Sequence, residues 1–354
     1  MVRIIVENES LNKHIPLEKH PENPARVAKI IELLRKIRVD FEYSRPEVDL
    51  EEARRIAFRI HAKGYIEYLE RLSRNRYSII DEDTYLAHDS LELAYRTFGS
   101  CYGLASKLHD IVFYVTRPPG HHAGIAGKAM RAFSQGFCLL NNPGAAVLAF
   151  KDRGFSRIAI LDFDAHHGNG TMEIFYRDKI LHIDLHQHPR SLYPYTGYPF
   201  EIGVGEGYGF KANLVFSPFT GDDVYIETLN MVSKLLEEYN PEALVVSAGF
   251  DAYVNDGLAD LRLTEASYYV LGRLIRDLKS RSLIVLEGGY SVGLVKGVES
   301  FLKGLWGFKI SINPSRSMYH ANSREDLSVN EKTILKIKQK VLGKGIGIGE
   351  GSQV

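Results

Sequence analysis

The chain is poor in cysteine. Among 354 residues only Cys101 and Cys138 occur, too few for a disulfide framework and without the CxxC pairs that structural zinc favours. It also lacks an excess of either charge. Lys+Arg number 44 and Asp+Glu 44, so no net charge drives binding to nucleic acid or a membrane surface. No run of about 18 apolar residues exists, which argues against a membrane span. "MVRIIVENES" has no long apolar stretch behind a basic segment, which argues against a secretion signal and suits a cytoplasmic protein. Nucleotide loops are missing too. Gly343 and Gly345 would need a third glycine where Ile348 stands, "GVGEGYG" puts Tyr208 at that position, and no GxxxxGK[ST] string is present.

What is present is alternation. "RIIV" and "IVFYVT" read as strands, and "RIAILDFD", "ILHIDLH", "ALVVSAGFD" and "LIVLEGGY" follow as short apolar runs. Helical patterns lie at 23–37, where Asn23 can cap and Pro24 suits the first turn, and at 90–108, 143–152, 222–239, 264–279, 292–305 and 331–341. Apolar strands alternating with helices predict an α/β fold, a mostly parallel sheet covered on both faces. A single catalytic domain over 1–342 and a glycine-rich, flexible tail over 343–354 are expected.

Position carries the functional signal. His121 and His122, Asp162, Asp164 and His166, His186, Asp251, and Glu287 with Tyr290 each stand just past an apolar run. Ligands of an open parallel sheet bind at that edge. Seven of the 13 histidines fall between His121 and His188, and a cluster at strand ends outweighs the ordinary reading of a lone histidine as surface or core. Asp164 and His166 are two apart, so on extended chain they face one side, and His167 faces away. Asp251 can add a third ligand. Three protein ligands with an open position is the arrangement of a catalytic zinc ion.

A Ser-His-Asp hydrolase would want a GxSxG nucleophile elbow, and the chain is read as having none. A two-metal, arginase-like ureohydrolase would want carboxylates at Gly168 and Tyr253, so one ion fits better than two. A non-catalytic binding protein on the same scaffold would be expected to lack Tyr290, His122 or a ligand, and all are present.

"HPENPAR", "RPPGHHAG", "GFCLLNN", "LDFDAHHGNGT", "VVSAGFDA" and "LEGGYS" occur in this order between His20 and Ser291. Together they resemble the zinc-dependent histone deacetylase and acetylpolyamine amidohydrolase superfamily, a match that runs from about His20 to Gly304. The resemblance implies the arginase/deacetylase fold with about eight strands. It implies one Zn²⁺ on Asp164, His166 and Asp251, and a histidine relay at His121 and His122 oriented by Asp162 and Asn169. Asparagine at 169 resembles the class II and amidohydrolase branches. Tyr290 matches the tyrosine that polarises the substrate carbonyl. Gly136, Phe137 and Tyr193 match tunnel walls, and Arg26 matches a residue of an inner acetate channel. Leu258 stands where polyamine-selective relatives place a glutamate. Asp184 stands where many members have a serine contributing to a monovalent-cation site, and a carboxylate there could still bind K⁺. The segment 123–135, with Lys128 and Arg131, reads as a rim loop. The implied reaction is removal of acetyl from a primary amine, acetyl-lysine or an acetylpolyamine, with acetate released.

Overall fold

A computed structural model describes residues 2–45 and 47–343. Ten strands are present among them: β1 (Val2–Val6), β2 (Glu42–Tyr43), β3 (Tyr77–Ile79), β4 (Tyr85–Ala87), β5 (Ile111–Val115), β6 (Ile158–Asp162), β7 (Leu181–Gln187), β8 (Lys211–Phe216), β9 (Ala243–Ala248) and β10 (Arg281–Leu286). The helices are α1 (Ala25–Lys36), α2 (Leu50–Ala57), α3 (Lys63–Leu72), α4 (Ser90–Ser106), α5 (Asn142–Asp152), α6 (Asn169–Ile174), α7 (Asp222–Tyr239), α8 (Glu265–Leu278), α9 (Val292–Trp306) and α10 (His320–Leu342). Eight strands form one sheet in the order β2-β1-β5-β10-β9-β6-β7-β8. Every pairing in it is parallel. β3 and β4 make a separate antiparallel pair.

The apolar runs are continuous because both faces are covered. Alternate residues of one strand enter different cores. Phe113, Leu161, Val246 and Ile284 pack on one side, among residues of α1, α7, α8 and α9. Tyr114, Ile160, Val245 and Val285 pack on the other, among residues of α2, α3, α4 and α5. Asn23 Oδ1 accepts from Ala25 N at the start of α1, as its sequence suggests.

The last helix departs from expectation. It starts at His320 rather than near Glu331, and its first half shows no apolar period because its polar residues face the sheet. Asn330 accepts from Val215 N and donates to Val215 O, both at 2.9 Å. Asp326 accepts from Ser217 N. Side chains of α10 therefore satisfy the free backbone of the edge strand β8, which blunts that edge. The glycine-rich tail expected from 343 lies, beyond Gly343, outside the described residues.

Candidate active site

The chain ends of five neighbouring strands, β5, β10, β9, β6 and β7, build the site. Asp162 closes β6, and its Oδ1 accepts from Asp164 N at 3.1 Å. The Asp164 carboxylate is fixed at both oxygens: Oδ1 accepts from His166 N and Oδ2 from Gly288 N. Asp251 Oδ1 accepts from Ala165 N. His166 Nδ1 then lies 3.0 Å from Asp164 Oδ1 and 2.8 Å from Asp251 Oδ2. Ligand atoms of the three residues lie within 4.8 Å of one another, a spacing that a single tetrahedral ion can draw together. Burial opposes charge on His166, but the two carboxylates raise it to about 10.

Glycine makes this close approach possible. A Cβ on Gly288 would stand 2.5 Å from both Asp164 Oδ2 and Asp251 Oδ2. His167 turns away as alternation predicts: its Nδ1 meets Thr196 Oγ1 at 2.8 Å and its Nε2 meets Met172 Sδ at 3.2 Å.

The histidine pair differs by partner. The two rings lie 4.1 Å apart. His121 Nδ1 is 3.0 Å from Asp162 Oδ2, and His122 Nδ1 is 2.7 Å from Asn169 Oδ1. Asn169 Nδ2 donates to Ala129 O, so its oxygen must be the atom facing His122. That makes Nδ1 the protonated nitrogen of neutral His122 and leaves Nε2 as the base. Burial penalises the charge on both rings. The carboxylates of Asp162, Asp164 and Glu287 overcome this at His121 and hold it well above the usual histidine range. His122, beside cationic His121 and His166, falls well below it.

A cavity of about 220 Å³ opens onto these groups. Gly136, Phe137, Tyr193, Leu258 and Tyr290 line it as expected, and Asp83, Pro119, Phe133 and Leu192 add to its wall. Gly136 sits at φ 52°, and a Cβ there would strike the His122 ring. The 123–135 loop forms part of the rim: Phe133 lies on the cavity, and Tyr193 donates its hydroxyl to Ser134 O at 2.9 Å. Tyr290 keeps its proton, since burial pushes the phenol well above its usual range despite nearby Arg26.

Arg26 does not line the cavity. It donates to the carbonyls of Gly289 and Glu287 and stacks 4.7 Å from the Tyr290 ring, so it braces the turn that carries the tyrosine. Two carboxylates have positioning roles that the sequence does not assign, Glu287 although it was noted at its strand end, because most of their partners are backbone N–H groups. Glu287 Oε2 accepts from Gly120 N and His121 N. Asp256 Oδ2 accepts from Tyr290 N, Ser291 N and Ser291 Oγ.

The absence of a GxSxG string needs correction. Gly289–Gly293 matches it, and it lies between β10 and α9 as an elbow would. Its serine is not a nucleophile in waiting. Ser291 Oγ donates to Asp256 and accepts from Gly293 N as the cap of α9, with no histidine bonded to it. Asp184, placed beside β6 on β7, is bound by Gly168 N at 2.9 Å and His186 Nδ1 at 2.5 Å. Tyr253, where a second-metal carboxylate would stand, is a buried aromatic packed by Tyr268.

A Histone deacetylase domain model matches residues 20–305. A probable deacetylase of Archaeoglobus fulgidus is 36% identical over 309 residues, covering 82% of each chain. Acetylpolyamine amidohydrolase 1 of Pseudomonas aeruginosa is 42% identical over 182 residues, 51% of each chain. The crystal structure of the HDA15 HD domain superposes with a TM-score of 0.80 at 28% identity, covering 96% of this chain and 98% of that one. Among the described residues no helix is long and apolar enough to cross a membrane.

Proposed function

Since the chain belongs to the histone deacetylase family, we propose that it is a zinc-dependent amidohydrolase that removes acetyl from a primary amine. The single observation that carries this reading is the composition of the cavity floor. Asp164 and His166 lie on it with Asp251 bonded behind them, beside a neutral imidazole and a protonated phenol. The donor set fits the group: two carboxylates and one imidazole, held by backbone N–H groups, match the ligands of catalytic zinc. When bound there, Zn²⁺ supplies Lewis acidity, lowering the pKa of a water to about 7 and polarising a carbonyl.

The chain's own residues do the rest. His122 Nε2 takes the proton of the attacking water and returns it to the departing amine, a role worth roughly 10²–10⁴-fold. Cationic His121, held by Asp162, contributes charge rather than a base. The Tyr290 hydroxyl donates to the oxyanion of the tetrahedral intermediate. Phe137, Tyr193 and Leu258 offer an apolar tube that suits an unbranched aliphatic stem carrying the acetyl group. We keep Arg26 as a candidate for handling the released acetate, because its Nη1 has no hydrogen-bond partner.

The test is acetate release from acetyl-lysine peptides, acetylputrescine and acetylspermidine by zinc-loaded protein. Activity lost on chelation and restored by Zn²⁺ is the expected outcome. A zinc-loaded chain that releases no acetate from any of them overturns the reading.

A further inference from the structure

We propose that Phe133 and Tyr195 form a recognition surface at the mouth of the cavity for an aromatic side chain flanking the acetylated lysine of a peptide. This rests on the acetyl-lysine reading of the proposed function and extends it beyond the tunnel. Phe133 lines the cavity and is 47% exposed. Its ring meets the wall residue Tyr193 at 5.3 Å and 73°, and Tyr195 at 6.2 Å. Tyr195 is 53% exposed and is not among the residues lining the cavity. The aromatic wall therefore continues past the cavity as a shelf open to solvent.

Exposure alone would mean little, since single apolar residues are common on surfaces. The backbone supplies the independent observation. Tyr195 adopts φ 62°, a left-handed conformation that glycine takes freely and a bulky residue does not. Its surroundings impose it: the Tyr193 hydroxyl is tied to Ser134 O, Tyr195 N to Leu192 O, and Thr196 Oγ1 to His167 Nδ1. Glycine would satisfy that backbone. The Tyr195 hydroxyl bonds to no group among the described residues, and Phe133 is the one ring beside it there. The loop that carries Phe133 repeats the pattern. Met130 and Arg131 stand at φ 50° and 66°, and Ala132 N donates to Ala129 O across them. Two left-handed residues inside one hydrogen-bonded turn are normally Asn-Gly, yet here Met-Arg makes the turn that delivers Phe133. Strain of this kind gathers at ligand clamps.

The chemistry of the mouth favours a ring over a cation. The carboxylates lining the cavity are Asp83 and Asp164. Asp164 belongs to the metal site. Asp83 accepts from Thr84 Oγ1 at one oxygen and from Ser134 Oγ at the other. Leu192 and Leu258 complete the wall. The mouth thus offers ring faces and aliphatic groups rather than an open carboxylate, and aromatic pairs gain stability beyond the area they bury.

The test reads binding, so it does not depend on turnover. Zinc-loaded Tyr290→Phe protein is titrated by calorimetry with two heptapeptides centred on acetyl-lysine, identical except for phenylalanine or alanine on both sides of it. The phenylalanine peptide should bind at least about fivefold tighter, the effect of one aromatic contact. Tyr195→Gly, added to this background, should abolish that preference and leave the alanine peptide within about twofold of its parent affinity. It should melt no lower than its parent, because glycine takes φ 62° without strain. Tyr195→Phe keeps the ring and should keep the preference. Equal affinity for the two peptides overturns the proposal, as does a preference that survives Tyr195→Gly or is lost in Tyr195→Phe. A Tyr195→Gly chain that melts lower and loses both peptides alike would make the ring a packing residue and overturn it too. So would an equal loss of acetylspermidine binding, which would put a cation at the rings. A wild-type chain that binds the phenylalanine peptide and releases no acetate from it would defeat the proposed function and leave this inference standing.

Discussion

Gly288→Ala tests the metal site through sterics alone. The added methyl would lie 2.5 Å from Asp164 Oδ2 and from Asp251 Oδ2. Ordinary contact begins near 3.4 Å, so each oxygen must retreat by about 0.9 Å. Metal–ligand distances tolerate about ±0.2 Å, so neither carboxylate can keep its bond without moving the other. Asp164 Oδ2 also accepts from Gly288 N, which ties the carboxylate to the residue that pushes it. Disturbing one group around a metal costs 10–100-fold in affinity. Displacing two ligands should cost at least about 100-fold, or about 2.8 kcal/mol at 1.4 kcal/mol per tenfold. Overpacking alone should lower metal-free stability by about 1–3 kcal/mol, so the assay must separate the two effects. Zn²⁺ affinity is read by competition with a chromophoric chelator, and stability by melting the metal-free protein. Gly64→Ala is the control: nothing lies within 4 Å of its Cβ, and on helix α3 alanine should stabilise by about 0.5–1 kcal/mol. A Gly288→Ala protein that binds Zn²⁺ and turns over like the wild type would refute the assignment of Asp164 and Asp251 as ligands.

Tyr290→Phe should keep wild-type zinc content and KM and lose about 10²–10³ in kcat; steady-state kinetics showing full kcat would remove the tyrosine from the reaction. Glu22 and Arg117 are both fully buried and joined by bonds of 2.6 and 2.7 Å, so Glu22→Gln, which strands the guanidinium, should cost about 3–5 kcal/mol at pH 7. Burial works against the Glu22 charge, but Arg117 and His14 hold its carboxyl well below 4.5. A depressed carboxyl stabilises the fold above its unfolded pKa and loses that contribution as pH falls. The melting difference between wild type and Glu22→Gln should therefore be flat from neutral pH to about 4.5 and shrink below it, and a gap that widens in acid would contradict the pairing. Leu258→Glu places a carboxylate on the cavity wall, where an ion pair worth about 1 kcal/mol should raise kcat/KM for acetylspermidine about fivefold relative to an acetyl-lysine peptide; an unchanged ratio would place the distal amine elsewhere.

The sheet was readable because strands buried on both faces are apolar throughout, and the reading failed where burial was polar. β8 carries Lys211 and Asn213, both buried. Lys211 donates to carbonyls of Asp178 and Ile180, and Asn213 to those of Tyr198 and Glu201, so the strand has no continuous apolar signature. The first half of α10 went unread for the same reason.

The site shows the same division at finer scale. Asp164, His166 and Asp251 were visible because metal chemistry demands particular side chains at particular strand ends. The positioning roles of Glu287, itself noted at its strand end, and of Asp256 were not, because a carboxylate that accepts mainly from backbone N–H groups imposes no residue type on its partner. The GxSxG string at Gly289–Gly293 shows the converse: its sequence and its place between strand and helix are those of a nucleophile, yet Asp256 and Gly293 occupy both functions of the Ser291 hydroxyl. Chemical capacity here is what remains after the backbone has satisfied its own needs. Ser291, Glu287 and Asp256 do not line the cavity, whereas His122 and Tyr290 do, with the His122 Nε2 and the Tyr290 hydroxyl left unengaged within the chain.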